Sequence, residues 1–153
     1  MMAVLGVVAI LALMAIPSIQ EGAMRKQVKE GMALADVAKS AVQGALNLVG
    51  DMPADNKAAG LPAPEKIVGN YVSEVRVDGG AVTLTFGNNA GRGVSGKKLT
   101  LRPAIVPGEP LVPIAWICHV AAVPKGMEAR GVDLTDLPTS ALPVECRGPP
   151  PPK

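Results

Sequence analysis

The sequence predicts an α+β protein in which a long, kinked N-terminal helix packs on a four-stranded antiparallel sheet, followed by a C-terminal loop closed by a disulfide. Three observations lead there. A charge-free opening segment runs on into a helical repeat, the repeat changes to alternation after Gly69, and the only two cysteines, Cys118 and Cys146, lie near the C-terminus. The 153 residues suit one domain, and 48% hydrophobic with 2% aromatic content implies a core of Val, Leu, Ile, Ala and Met. A formal net charge of +2 is too small for a dedicated nucleic-acid binder.

The first element opens with Met1, Met2, Ala3, Val4, Leu5, Gly6, Val7, Val8, Ala9, Ile10, Leu11, Ala12, Leu13, Met14, Ala15 and Ile16. A helix of these residues is apolar on every side, so it belongs in lipid or in protein. Up to Ile16 it rises about 24 Å at 1.5 Å per residue, short of a hydrocarbon core of roughly 30 Å. A secretory signal would carry a basic start, yet no Lys or Arg precedes Arg25. A plain anchor would end at an abrupt polar boundary. Here the helical pattern instead continues past Pro17, with Met24, Val28, Met32, Ala35, Ala38, Val42, Ala45, Leu46 and Val49 recurring at steps of three and four. This second half is a stripe packed on its own domain, and Pro17 is the expected kink, with Gly22, Gly31 and Gly44 weakening the helix locally.

The second element is a loop, because Gly50, Asp51, Pro53 and the residues to Glu65 carry Gly, Pro and Asn at loop density. Alternation then begins. Val72, Val75 and Val77 lead to the turn Asp78, Gly79, Gly80, and Val82, Leu84 and Phe86 complete a β-hairpin. A third strand lies around Leu99 and Leu101, and a fourth around Ile114, Trp116 and Cys118. The expected divisions are an apolar half-helix at 1–22 and a globular part at 23–147. The latter comprises the amphipathic half-helix 23–49, the connecting loop 50–69, the sheet 70–120 and the cysteine-bounded loop 118–146. The Pro-rich tail 148–153 is expected to be extended and poorly ordered.

No catalytic, cofactor or metal constellation emerges. Cys118 and His119 are neighbours that a strand would point to opposite faces. Glu128, Asp133 and Asp136 lack the dense alternating ligands of a calcium loop. The segment GNNAGRGVSGKK leads into a strand and lacks the phosphate-loop spacing, so it reads as a hairpin connection. Trp116 reads as a core or disulfide-packing residue. Cys118 and Cys146 are too far apart for a redox C-x-x-C, and one histidine leaves too few ligands for zinc. For a chain that reads as exported the inference is a disulfide, the alternative being a reduced cytosolic pair. Lys97, Lys98, Arg102, Lys125, Arg130 and Arg147 are candidates for weak contact with DNA if repeated along a filament.

The ordered blocks resemble the type IV pilins over nearly the whole chain. The stretch from MMAVLGVVAI to KSAVQ is similar to the pilin helix, including the apolar run closed by Ile16 and Pro17. NYVSEVRV, GGAVTLTFG, SGKKLTLRP and IAWIC resemble the sheet strands, and LPVECR the disulfide-closed end. The resemblance implies the pilin fold, with Cys118 and Cys146 enclosing an exposed filament surface, here with Thr135 and Asp136 as a Thr-Asp motif. It implies a non-enzymatic subunit stored in the inner membrane by its apolar half-helix, then assembled with copies of itself by the pilus machinery. Adhesion, twitching motility or DNA uptake would follow, with host surfaces or DNA as further partners. The family's leader ending in Gly, the following Phe-Thr-Leu, the early glutamate and the methylated first residue do not stand in this sequence. The expectation is that these residues, which prepilin peptidase would process, lie just upstream of Met1. The alternatives are a type II secretion pseudopilin and, from another class, a membrane-anchored binding domain or enzyme.

Overall fold

The computed structural model describes the backbone of residues 2–148 and the side chains of residues 19–148. The first element is one helix, α1 (Met2–Val49). The apolar set Met1 to Ile16 and the expected bend at Pro17 lie outside the described side chains, as does the tail beyond Gly148. Among the described residues no helix is long and apolar enough to cross a membrane. The helix stops at a residue that tolerates left-handed backbone: Gly50 has φ +79° and its N–H donates to Leu46 O at 2.8 Å.

From residue 24 onward the helical stripe faces the sheet. Val28, Ala35, Ala38, Val42 and Leu46 are buried, and Met24 and Met32 pack half-buried beside them. The last stripe position departs from expectation, since Val49 is 76% exposed. The chain turns away at Gly50 before Val49 can meet a partner. Gly31, read in sequence as a weak point of the helix, is a contact point instead: a Cβ there would lie 2.7 Å from Phe86 Cε1.

The sheet comprises β1 (Val72–Asp78), β2 (Ala81–Phe86), β3 (Lys98–Ile105), β4 (Ala115–Cys118) and β5 (Glu128–Ala129). Its order is β1-β2-β3-β4, antiparallel throughout, with β5 paired to β3. Gly79 and Gly80, at φ +54° and +83°, make the hairpin turn that joins Asp78 to Ala81. Val75, Val77, Val82, Leu84, Phe86, Leu99 and Leu101 form the core with the helix. The sheet therefore has five strands where four were expected. A two-residue strand carries no alternation signal, and β5 is held only by distant residues, Ala104 and Ile105.

The outer edge of β1 is closed by a side chain. Asn56 is 4% exposed, donates to Val75 O at 3.0 Å and to Pro62 O at 3.1 Å, and accepts from Val77 N at 2.6 Å. Its amide takes the place of a neighbouring strand. Asn56→Ala leaves the Val77 N–H and Val75 carbonyl unpaired in a buried setting, which costs about 1–3 kcal/mol. Equilibrium denaturation reads that loss, and an unchanged midpoint would show that water takes over the bonds.

Candidate functional site

Cys118 ends β4 and Cys146 lies in a 3₁₀ turn, Val144–Cys146. The two form a disulfide with Cα atoms 4.8 Å apart, both buried, and there are no free cysteines. Residues 118–146 are thus a closed loop, whose path follows from the gaps left by the sheet. Pairing of β2 with β3 stops at Val82 and Leu101, and β5 fills the margin of β3 beyond that point. Arg130 N donates to Pro103 O at 2.7 Å there. Gly131, at φ +79°, lies so close to Ala81 that a Cβ would fall 2.5 Å from the Ala81 Cβ, so only glycine lets the loop cross at this point.

The loop next fills the other margin of β3, where β4 has ended at Cys118 opposite Leu101. Asp136 N donates to Lys98 O at 3.2 Å, and the Asp136 carboxylate accepts from Lys98 N. Thr100 N donates to Thr135 Oγ1 at 3.0 Å, and Leu134 N donates to Thr100 Oγ1 at 3.1 Å. Thr100 in turn shares a hydrogen bond of 3.0 Å with Thr83, both buried. Segment 131–136 is therefore a strap over the sheet face that carries Thr83 and Thr100, opposite the helix. Beyond the strap, Leu137, Ala141 and Leu142 are buried, and Arg25 Nε of the helix donates to Ser140 O at 2.9 Å. The helix and the closed loop are thereby joined directly.

His119 starts the loop with φ +49°, a backbone region in which His is one of the tolerated residues. Its Nδ1 lies 2.7 Å from Asp133 Oδ2, with the two side chains 29% and 22% exposed. Asp133 Oδ1 accepts from Thr135 N at 3.0 Å. Burial works to raise the Asp133 carboxyl, but the Thr135 hydroxyl and N–H, together with His119, outweigh it and hold the group below the usual carboxylate value. The sequence placed His119 beside Cys118 and Asp133 in an acidic loop. That the two meet is visible only once the strap has a path. Among the described residues no three His, Cys, Asp or Glu side chains converge as a metal would need.

The six basic candidates separate into two groups. Lys97, Lys98 and Lys125 are exposed. Arg102 is half-buried with Nη2 3.4 Å from His119 O, Arg147 Nε donates to Leu142 O at 2.9 Å, and Arg130 is ion-paired with Glu128 at 3.0 Å. Arg102 and Arg147 thus bond to carbonyls of the closed loop, whereas Arg130 makes a local, exposed pair within it. Trp116 lies against the helix rather than in the centre of the core, half-buried, with Lys39 Nζ 6.0 Å from its ring centroid.

A buried stripe on a long helix, an antiparallel sheet and a disulfide-strapped C-terminal loop together describe a recurring subunit architecture, and sequence comparison agrees. The profile of the Pilin family, described as Pilin (bacterial filament), matches residues 25–147. The chain is 36% identical over 154 residues to the type IV major pilin protein PilE1 of Neisseria gonorrhoeae, covering 96% of this chain and 83% of that protein. It is 38% identical over 154 residues to the type IV major pilin protein PilE of Neisseria gonorrhoeae, covering 96% and 89%. A fimbrial protein of Neisseria meningitidis serogroup B is 32% identical over 156 residues, again covering 96% and 89%. The family is one of structural filament subunits rather than enzymes, and this chain belongs to it: it is a bacterial pilin.

Proposed function

We propose that this pilin is the structural subunit of a type IV pilus, polymerising through its N-terminal helix into extracellular filaments. The observation that carries the reading is the similarity to type IV major pilins across 96% of the chain, apolar opening included. It favours a pilus subunit over a secretion pseudopilin or a membrane-anchored enzyme. In the proposed cycle the apolar residues 1–16 rest in the inner membrane before assembly and bundle with their copies along the filament axis afterwards. Removing apolar surface from water is worth about 25 cal/mol per Å², so water is excluded as an environment for this segment at either stage. Transfer from lipid to bundle adds little burial, and close packing of small residues such as Ala3, Gly6, Ala9 and Ala12 then matters more.

Prepilin peptidase and the pilus machinery are the proposed processing and assembly partners, and adhesion, twitching motility or DNA uptake the proposed outputs. Contact with DNA would fall first to Lys97, Lys98 and Lys125, the exposed lysines of the basic set, Arg130 being exposed but paired with Glu128. Expression of the complete gene in a host with a type IV pilus system tests the reading. Sheared surface fibres containing this chain are the expected result. A chain that stays cell-bound and monomeric while the host's own pili assemble would overturn it.

A further inference from the structure

The apolar run ends at Ile16 and no charge appears before Glu21, yet one continuous helix, α1, carries the chain from that run into the domain. The connection between β2 and β3 lies against the helix just past this point. Gln27 Oε1 accepts from Gly91 N at 3.0 Å, and a Cβ at Gly93 would run into Met24 Sδ, so the loop sits directly on the helix. Between them is a cleft of about 340 Å³, lined by Gln20, Met24 and Gln27 of the helix and by Gly91, Arg92 and Gly93 of the loop. At 1.5 Å per residue Gln20 to Met24 spans about 6 Å, which matches one phospholipid headgroup layer, roughly 5–8 Å thick.

We infer that this cleft takes the phosphodiester of an anionic phospholipid while the subunit is stored in the membrane, an inference that rests on the membrane stage proposed above. Arg92 is exposed, and among the described residues no carboxylate pairs with it. Its planar fork of donors fits phosphate oxygens. Gln27 has its amide oxygen engaged by Gly91, which leaves the NH2 end as a second donor. Residues 20–29 and 87–97 carry Glu21 as their one acid against Arg25, Lys26, Lys29, Arg92 and Lys97. Glu21 is paired with Arg25 at 2.9 Å, so the remaining charge of these two segments is positive. A free phosphate ion offers the same oxygens. The embedded helix, however, holds the cleft at a surface where lipid phosphates are concentrated, an advantage the free ion lacks.

Hydrogen exchange on the full chain reconstituted in phosphatidylcholine vesicles, with and without roughly one third of the lipid replaced by phosphatidylglycerol, tests the cleft. Protection of loop amides 91–95 should rise about fivefold with the anionic lipid, the factor for one basic side chain at an anionic surface. Amides of turn 79–81, beside Met52 beyond the far end of α1, should not respond. Arg92→Gln changes an exposed side chain and should abolish the gain while the chain still floats with the vesicles. Inorganic phosphate added to the phosphatidylcholine sample should not reproduce it. A chain that fails to float with either vesicle would overturn the membrane stage and the inference with it. Equal loop protection in both lipids, a gain that survives Arg92→Gln, or a gain from inorganic phosphate would overturn the inference while a floating chain leaves the membrane stage standing.

Discussion

Replacing both Cys118 and Cys146 by serine is expected to lower the unfolding free energy by about 3.6 kcal/mol, the chain-entropy value for a cross-link spanning 28 residues. The figure refers to the denatured chain, which without the bridge gains the freedom of the whole loop. The folded state adds a second loss. The strap and the chain after β5 are held by hydrogen bonds at Arg130, Leu134, Thr135 and Asp136, the last making two, each bond worth about 0.5–1.5 kcal/mol net. They depend on the loop being returned to the sheet at Cys146. Denaturation of the double variant, beside the unmodified chain with its bridge intact, measures the sum. An unchanged midpoint would mean that the unfolded chain keeps this loop restricted without the bridge, through residual structure. Fibre yield in an exported context provides a separate reading, and it is expected to collapse.

Phe86→Ala is expected to cost about 3–5 kcal/mol, the range for emptying a buried aromatic site. Phe86 is 1% exposed and is among the largest fully buried side chains. Its ring edge occupies the space where Gly31 has no side chain, which lets the helix approach β1 and β2. Gly31→Ala removes the entropic penalty of a helical glycine, a gain of up to about 1 kcal/mol. It also drives a methyl to 2.7 Å from Phe86 Cε1 and 3.1 Å from Val72 Cγ2. Because ring and valine are both enclosed, overpacking at about 1–3 kcal/mol outweighs the propensity gain and the variant is less stable. In the Phe86→Ala background the ring contact disappears and only the 3.1 Å approach to Val72 Cγ2 remains, so the same glycine substitution should become neutral or stabilising. A double-mutant cycle on the full chain reads this change of sign. Additive effects would show that helix and sheet adjust independently at this contact.

The helix register was legible because one face repeats Val28, Ala35, Ala38, Val42 and Leu46 at helical steps, and those residues form the buried stripe. The hairpin was legible because Asp78, Gly79 and Gly80 stand between two alternating runs, and the register pairs Asp78 with Ala81 as a tight turn requires. Alternation misleads at the other sheet face. Thr83 and Thr100 alternate with the core positions of β2 and β3 yet are buried, since a strap from another part of the chain covers them. Asn56 gave no signal, because a loop asparagine looks the same whether it faces water or completes a sheet edge. Of the basic set, composition could not separate Lys97, Lys98 and Lys125 from Arg102 and Arg147, which are half-buried against a carbonyl, or from Arg130, which is exposed but paired with a carboxylate.

Local periodicity and residue chemistry by themselves determined the long helix, the hairpin and the two further strands, and the resemblance of the ordered blocks to type IV pilins supplied the family. Each of these depends on neighbours a few residues away, or on a pattern the family repeats. Only the tertiary structure decided the fifth strand, the closure of the β1 edge by Asn56, the path of the strap and the meeting of His119 with Asp133. Those features are set by which margins of β1 and β3 the neighbouring strands leave unpaired. A backbone N–H or carbonyl left inside a fold must find a partner, and the partner can come from any distance along the chain.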